Sequence, residues 1–280
     1  MTTAMPVVAQ QGSARRINRY VLPAADVPAP PTVVAVRDLD LHYGAFQALT
    51  KVSVEIPDRT ITALIGPSGC GKSTLLRCIN RLNDLVPGVR VQGQVQVAGQ
   101  DVLGAQLPVQ ELRRLVGMVF QRPNPFPLSV AENLTYGPRL HGTLSRSDAT
   151  VLVEEVLQAV GLWEALKDRL HTSALRLSPE QQQRLCIARA LATRPAVLLM
   201  DEPCSALDPV ATEHIEALML RLASERAIIV VTHNMQQAQR VSTYSGFMLM
   251  GELVEFGLTP QLFEAARDTR TADYVAGRFG

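Results

Sequence analysis

No stretch of this sequence is long enough to cross a bilayer. The longest apolar runs, such as AIIVV at residues 227–231, fall far short of the ~18 residues a spanning helix needs. A role at a membrane would require another chain to span it. Paired cysteine spacing is also missing. The four cysteines, at positions 70, 78, 186 and 204, offer neither a CxxC zinc site nor a disulfide frame, so a reducing cytoplasm is the default. Charge does not gather into blocks: 27 basic residues face 26 acidic ones for a net +1, which argues against nucleic acid as the direct partner. Residues 1–32 lack a periodic apolar pattern and carry five prolines and six alanines, too little to offset the entropy of ordering. Pro6 interrupts the one candidate for a secretory apolar segment. Arg15, Arg16 and Arg19, with no acid before Asp26, leave a transit peptide and a disordered Pro/Ala-rich tail as readings, and composition favours the tail.

The chain does contain enough apolar residues, 47% of 280, for one sizeable domain with a subdomain. Its organising stretch is GPSGCGKST, Gly66 to Thr74, set between an apolar run at 60–65 and a helical pattern from Lys72. That is the strand, loop and helix context of a phosphate-binding loop. Gly66, Gly69 and Gly71 let backbone N–H groups turn toward one anion. Lys72 reaches terminal phosphates, and the Ser73 hydroxyl can hold a magnesium ion.

Around this loop the pattern is α/β. The runs VVAVRDLDLHY and LTKVSVEIP read as half-buried antiparallel strands leading into a buried strand, TITALIG. Tyr43 ends the first, where its ring either stacks on a base or packs the strand end. Leu75, Leu76, Ile79 and Leu82 predict a helix face over 73–82. Val91 to Val97 alternates as a further strand, and VGMVFQ is a buried strand that delivers Gln121 to its end. The PNPFP that follows is a shaped loop and a candidate contact surface. From about residue 129 to 193 the pattern turns helical, as an insertion between core halves at about 33–128 and 194–280. AVLLMDEP and AIIVVTH then repeat the buried-strand form, ending in Asp201–Glu202 and His233, and FMLMGELVEFG adds two short strands around Gly251.

Cleaving a phosphoanhydride requires phosphates held, a divalent cation placed and a water aimed. Asp201, at the tip of an apolar strand, suits the second shell of a magnesium ion. Glu202 can act as general base toward water. Gln121 can sense or place the cation and water, and His233 can touch the terminal phosphate; each singly is also an ordinary loop-end hydrogen-bonding residue.

The order of GPSGCGKST, Gln121, LS..QQQR, LLMDEP, SALD at 205–208 and His233 resembles the ATP-binding cassette (ABC) ATPases over about residues 33 to 260. The strings CINRLNDLVPGVRV, FQRPNPFP, THNMQQAQRVS, GELVEFG and DYVAGRFG are similar to those of ATPase subunits of bacterial phosphate importers. The resemblance implies the P-loop NTPase fold of ABC ATPases, with a mixed core sheet, an antiparallel β subdomain and an inserted helical subdomain. It implies ATP and Mg2+ as cofactors, with Gly66, Pro67, Ser68, Gly69, Cys70, Gly71, Lys72, Ser73 and Thr74 around the phosphates and Tyr43 on the adenine. Ser73, Gln121 and Asp201 would serve the metal, and Glu202, His233 and Gln121 the chemistry. A second ATPase subunit, of the same or a different kind, would face the first head to tail, receiving Ser178 in trans and linked through Asp208. Two integral membrane permease subunits and an extracytoplasmic phosphate-binding protein would complete the assembly at the cytoplasmic face of the inner membrane.

One segment departs from the family. The signature LSGGQ reads LSPEQ here, with Pro179 and Glu180 in place of two glycines. As a helix start this is favourable: Ser178 caps, Gln181 closes a capping box, and Pro179 suits the first position. Toward an anion it is unfavourable, because Pro179 has no N–H and Glu180 adds negative charge. At ~6 Å and an effective dielectric of ~20, repulsion from one phosphate charge is on the order of 2 to 3 kcal/mol unless Glu180 turns away or pairs with a base. The chain is then either a working transport ATPase, or a nucleotide-binding subunit with impaired hydrolysis that acts as a regulatory module or pairs with a partner bearing the glycines. A soluble ABC ATPase acting on nucleic acid or ribosomes would call for tandem cassettes or a basic face, and neither is present.

Overall fold

The structure, a computed structural model, describes residues 30–278 except 105 and 143. Nearly all of the expected tail, residues 1–29, lies outside the described residues. Order starts with a long hairpin, β1 (Thr32–Tyr43) and β2 (Phe46–Pro57), whose alternating burial matches a sheet with one wet face. β3 (Ile61–Ile65) follows, then the phosphate loop and α1 (Lys72–Ile79). β4 (Val89–Val97) and the short β5 (Gln100–Asp101) complete an antiparallel sheet in the order β2-β1-β4-β5.

α2 (Val109–Leu115) leads into β6 (Val116–Val119). A helical stretch comes next: α3 (Val130–Leu140), α4 (Arg146–Ala159), the single turn α5 (Trp163–Leu166) and α6 (Pro179–Leu191). β7 (Val197–Asp201), α7 (Pro209–Leu222), β8 (Ala227–Val231) and α8 (Met235–Val241) return to the sheet. β9 (Tyr244–Leu249) and β10 (Glu252–Leu258) pair as a hairpin, and α9 (Thr259–Glu264) and α10 (Thr269–Val275) close the described chain. The second sheet runs β10-β9-β3-β8-β7-β6, parallel except for the β9–β10 pair.

Every residue of β3, β7 and β8 is buried, because both faces of this sheet are covered. Leu64, Leu199, Ile229 and Val231 face a core shared with the antiparallel sheet and α1. Ile61, Ala63, Leu198, Met200, Ile228 and Val230 face the opposite core, shared with α6 and α7. Strands covered on both sides need no polar alternation, which explains the unbroken apolar runs. Parallel strands place all their C-terminal ends along one edge, and the chemistry-bearing residues collect there.

One expected boundary is corrected. The helix face read over 73–82 stops at Ile79: Arg81 turns to φ +55 and Leu82 opens a separate 3-10 turn, only half-buried. The cause is local. Asn80 Oδ1 accepts the Leu82 N–H at 3.2 Å, and Asn83 Nδ2 donates back to the Thr74 carbonyl at 2.9 Å, so side chains replace the helical ladder.

α7 and α8 are fastened by an ion pair between the buried Glu216 and the exposed Arg240, in which Arg240 Nη2 and Nε reach Glu216 Oε1 and Oε2 at 2.7 and 2.9 Å. Glu216→Ala strands the cation and should cost about 2 kcal/mol, below the fully buried case because Arg240 is partly solvated. Thermal unfolding should show a fall of roughly 4–8 °C.

Candidate functional site

The loop after β3 owes its path to glycine. Gly66, Gly69 and Gly71 take φ of +147, +77 and +106. A Cβ on Gly66 would sit 2.2 Å from the Met248 carbonyl oxygen, and one on Gly71 would sit 2.9 Å from Leu49. Pro67 is half-buried, Ser68 is exposed and Cys70 is buried beneath the loop. Lys72 is itself buried, and its Nζ donates to the Gly66 and Pro67 carbonyls, each at 2.8 Å. An ammonium lying over the loop's own carbonyls is placed to exchange them for an anion held by the same loop.

Ser73 and Asp201 are far apart in sequence yet touch: Ser73 Oγ donates to Asp201 Oδ1 at 2.7 Å. Arg77, one turn beyond Ser73 on α1, places Nη2 3.4 Å from Asp201 Oδ2. The sequence reading passed over this arginine, although its four-residue spacing from Ser73 was the available signal. The carboxylate is thereby buried but paired, which removes the objection to a charge at an apolar strand tip. Hard oxygen donors at a phosphate loop suit magnesium, which takes few protein ligands and leaves the rest to phosphates and water. No cluster of three or more His, Cys, Asp or Glu fit for a metal occurs among the described residues.

Glu202 follows the end of β7 at φ +48, a conformation costly for a residue with a side chain and common where function holds it. Its N–H is fixed to the Val231 carbonyl of β8 at 2.9 Å. Two other sequence candidates meet its carboxylate: Gln121 Nε2 donates to Oε2 at 3.0 Å, and His233 Nδ1 lies 3.2 Å from the same atom. A carboxylate only accepts, so Nδ1 carries the proton and Nε2 is the ring's free nitrogen. Behind them Gln183 of α6, wholly buried, donates from Nε2 to the Phe120 and Pro203 carbonyls at 3.2 and 3.0 Å. It thus links the segments just before Gln121 and just after Glu202. A cleft beside Glu202 and His233 is lined by Ser205, Thr212, Glu213 and Gln237. The Cys204 thiol on this cleft is pushed up to about 11 by burial, and that of Cys78 to about 12, so both stay protonated at neutral pH.

The remaining candidates lie elsewhere. The Tyr43 hydroxyl donates to Asn83 Oδ1 at 2.9 Å, and since Asn83 also holds the Thr74 carbonyl, the ring is tied to α1. Asp208 caps α7, accepting the Ala211 N–H at 2.9 Å. Ser178 caps α6 in a capping box with Gln181, and its bonds stay within its own turn. Sequence reasoning did not find the partners of Glu180: its Oε1 lies 3.2 Å from Arg184 Nη1 and 2.9 Å from His214 Nδ1.

A phosphate loop, a strand-end acid pair and a helical insertion on this mixed sheet define an ABC ATPase. The profile of the ABC transporter family matches residues 49–205, more than half of the chain, and the chain belongs to that family. Among curated proteins it is 54% identical over 246 residues to the phosphate import ATP-binding protein PstB 3 of Streptococcus pneumoniae, covering 88% of this chain and 98% of that relative; the protein of that name from a second strain matches equally. Among solved structures it superposes on a bacterial Atm1-family ABC exporter with ATP bound, with a TM-score of 0.72 and 28% identity, covering 91% of this chain and 44% of that one. It superposes also on an ATP-binding cassette in a dimeric post-hydrolysis state bound to ADP and Pi, with a TM-score of 0.68 and 28% identity, over 81% and 98% of the two chains.

Proposed function

We propose that this chain is the ATP-hydrolysing subunit of a phosphate importer. One observation carries the reading: the Lys72 and Ser73–Asp201 groups and the Gln121–Glu202–His233 cluster stand on the same edge of one sheet. Lys72 releases the Gly66 and Pro67 carbonyls to hold the terminal phosphates. Ser73 Oγ would hold Mg2+, with Asp201 behind it and Arg77 fixing Asp201. Bound there, the ion would supply charge neutralisation at the phosphates of ATP. Glu202 Oε2 takes the proton of a water that Gln121 and His233 orient, and His233 Nε2 faces the terminal phosphate.

In this reading two copies face each other, each lending Ser178 to ATP on the other's loop, with Asp208 linking the sites and Tyr43 beside the adenine. The fold works as a single ATPase domain at 33–280, with the helical subdomain at about 129–193. The loop after Gln121 is a shaped surface suited to membrane subunits. Phe126 packs on the exposed Tyr136 at 5.0 Å between ring centroids, and Arg189 lies 4.3 Å over Phe126 while holding Asn124. No described helix is long and apolar enough to cross a membrane, so permease subunits would supply the path and an external binding protein the solute.

Returning this chain to cells that lack it should restore phosphate uptake. Co-purification only with nucleic acid would overturn the reading. Pro179 at the first position of α6, which offers no N–H, is the observation that favours the regulatory alternative. Pro179→Gly combined with Glu180→Gly should leave the ATPase rate of the assembled transporter within about threefold. A rise of about thirtyfold, the repulsion recovered, would favour the regulatory subunit.

A further inference from the structure

Glu180 brings a negative charge to the first turn of α6, yet its side chain is committed to the flank of that helix. Oε1 lies 3.2 Å from Nη1 of Arg184, one turn toward the C-terminus, and 2.9 Å from Nδ1 of His214 on α7. Nδ1 carries the proton, because the carboxylate only accepts. Arg184 is pinned from a third helix: its Nε donates to the Val160 carbonyl at 2.8 Å and its Nη2 to the Gly161 carbonyl at 3.2 Å, at the C-terminal end of α4. That end is electronegative, which suits a guanidinium. Gly161 takes φ +67, and a Cβ there would meet Arg184 Nη2 at 2.7 Å, so the approach depends on a bare Cα. His214 stands in the second turn of α7, the helix that Asp208 caps.

We infer that His214 and Arg184 are positioning residues for the signature turn. They draw the Glu180 carboxylate aside so that the Ser178 end of α6 can receive a phosphate of ATP held by a second copy, and they fix that turn to the helix that starts at Asp208. Restraint of a carboxylate that a freer rotamer would send toward the anion offsets the loss of two glycines. The inference rests on the two-copy reading above.

The test uses the full chain carrying Glu202→Gln, so that bound ATP persists. Self-association with ATP and Mg2+ is measured by sedimentation, and ATP binding to the monomer by calorimetry at low protein concentration. Adding His214→Ala should weaken association about tenfold and leave monomer affinity for ATP within twofold, a split that a general loss of structure would not give. Adding His214→Gln, which keeps a donor, should remain within about threefold. Adding Glu180→Gly to the His214→Ala chain should restore association, because the charge to be restrained is gone. If the Glu202→Gln chain stays monomeric with ATP, the two-copy reading fails and the inference with it. If it associates but His214→Ala has no effect, or the same effect with and without Glu180, the inference alone fails.

Discussion

Replacing Glu202 by glutamine should lower ATP turnover by about two to four orders of magnitude while leaving the affinity of the phosphate loop for ATP nearly unchanged. The amide is isosteric and can still accept from Gln121 and His233, so the cluster at the end of β7 keeps its shape. What is lost is an atom able to take a proton from water. Turnover measured beside equilibrium ATP binding separates these effects. A fall in both would make Glu202 a structural residue, and a fall in neither would place the base elsewhere. The φ of +48 at this position belongs to the backbone and persists in the variant, so strain is held constant across the comparison.

Gly66→Ala should be more damaging, with a cost of at least about 3 kcal/mol in stability or ATP binding reduced beyond detection. The added methyl would lie 2.2 Å from the Met248 carbonyl oxygen and 2.9 Å from the Cys70 sulfur, at a φ of +147. Met248 cannot give way cheaply, because β9 is hydrogen-bonded to β3 on one side and to β10 on the other. Gly69→Ala is the control: its φ is +77, but no atom lies within 4 Å of the added carbon. It should cost only about 1 kcal/mol of backbone strain and still fold. Thermal unfolding and ATP titration of the pair test whether the loop depends on close approach or merely on flexible residues.

The parts of this molecule legible in its sequence are those written locally. The buried runs at β3, β7 and β8 could be read because strands covered on both faces have no reason to interrupt their apolar residues. A carboxylate or imidazole at or within two residues of the end of such a run stands out as a polar group at the edge of a core, and Asp201, Glu202 and His233 are legible in this way. The phosphate loop is legible because glycines at these spacings serve few other purposes. The contacts that complete the site were hidden: Ser73 meets Asp201 across 128 positions and Glu180 meets His214 across 34, through a sheet order that no local pattern encodes. The end of α1 was misread for a different reason. Leu82 fits the apolar period, but Asn80 and Asn83 offered the backbone a competing set of partners.

Gln183 gives the helical segment a mechanical hold on the Gln121–Glu202 cluster. Its one amide nitrogen is divided between the backbone leading to Gln121 and the backbone leaving Glu202. Any rotation of α6 against the sheet must either carry both segments with it or take this donor from the buried Pro203 carbonyl, at roughly 1–3 kcal/mol, and from the half-buried Phe120 carbonyl at less. Glu202 and Gln121 are therefore geared to the attitude of the helix that bears Ser178, so a tilt of that helix would move both residues on its own chain.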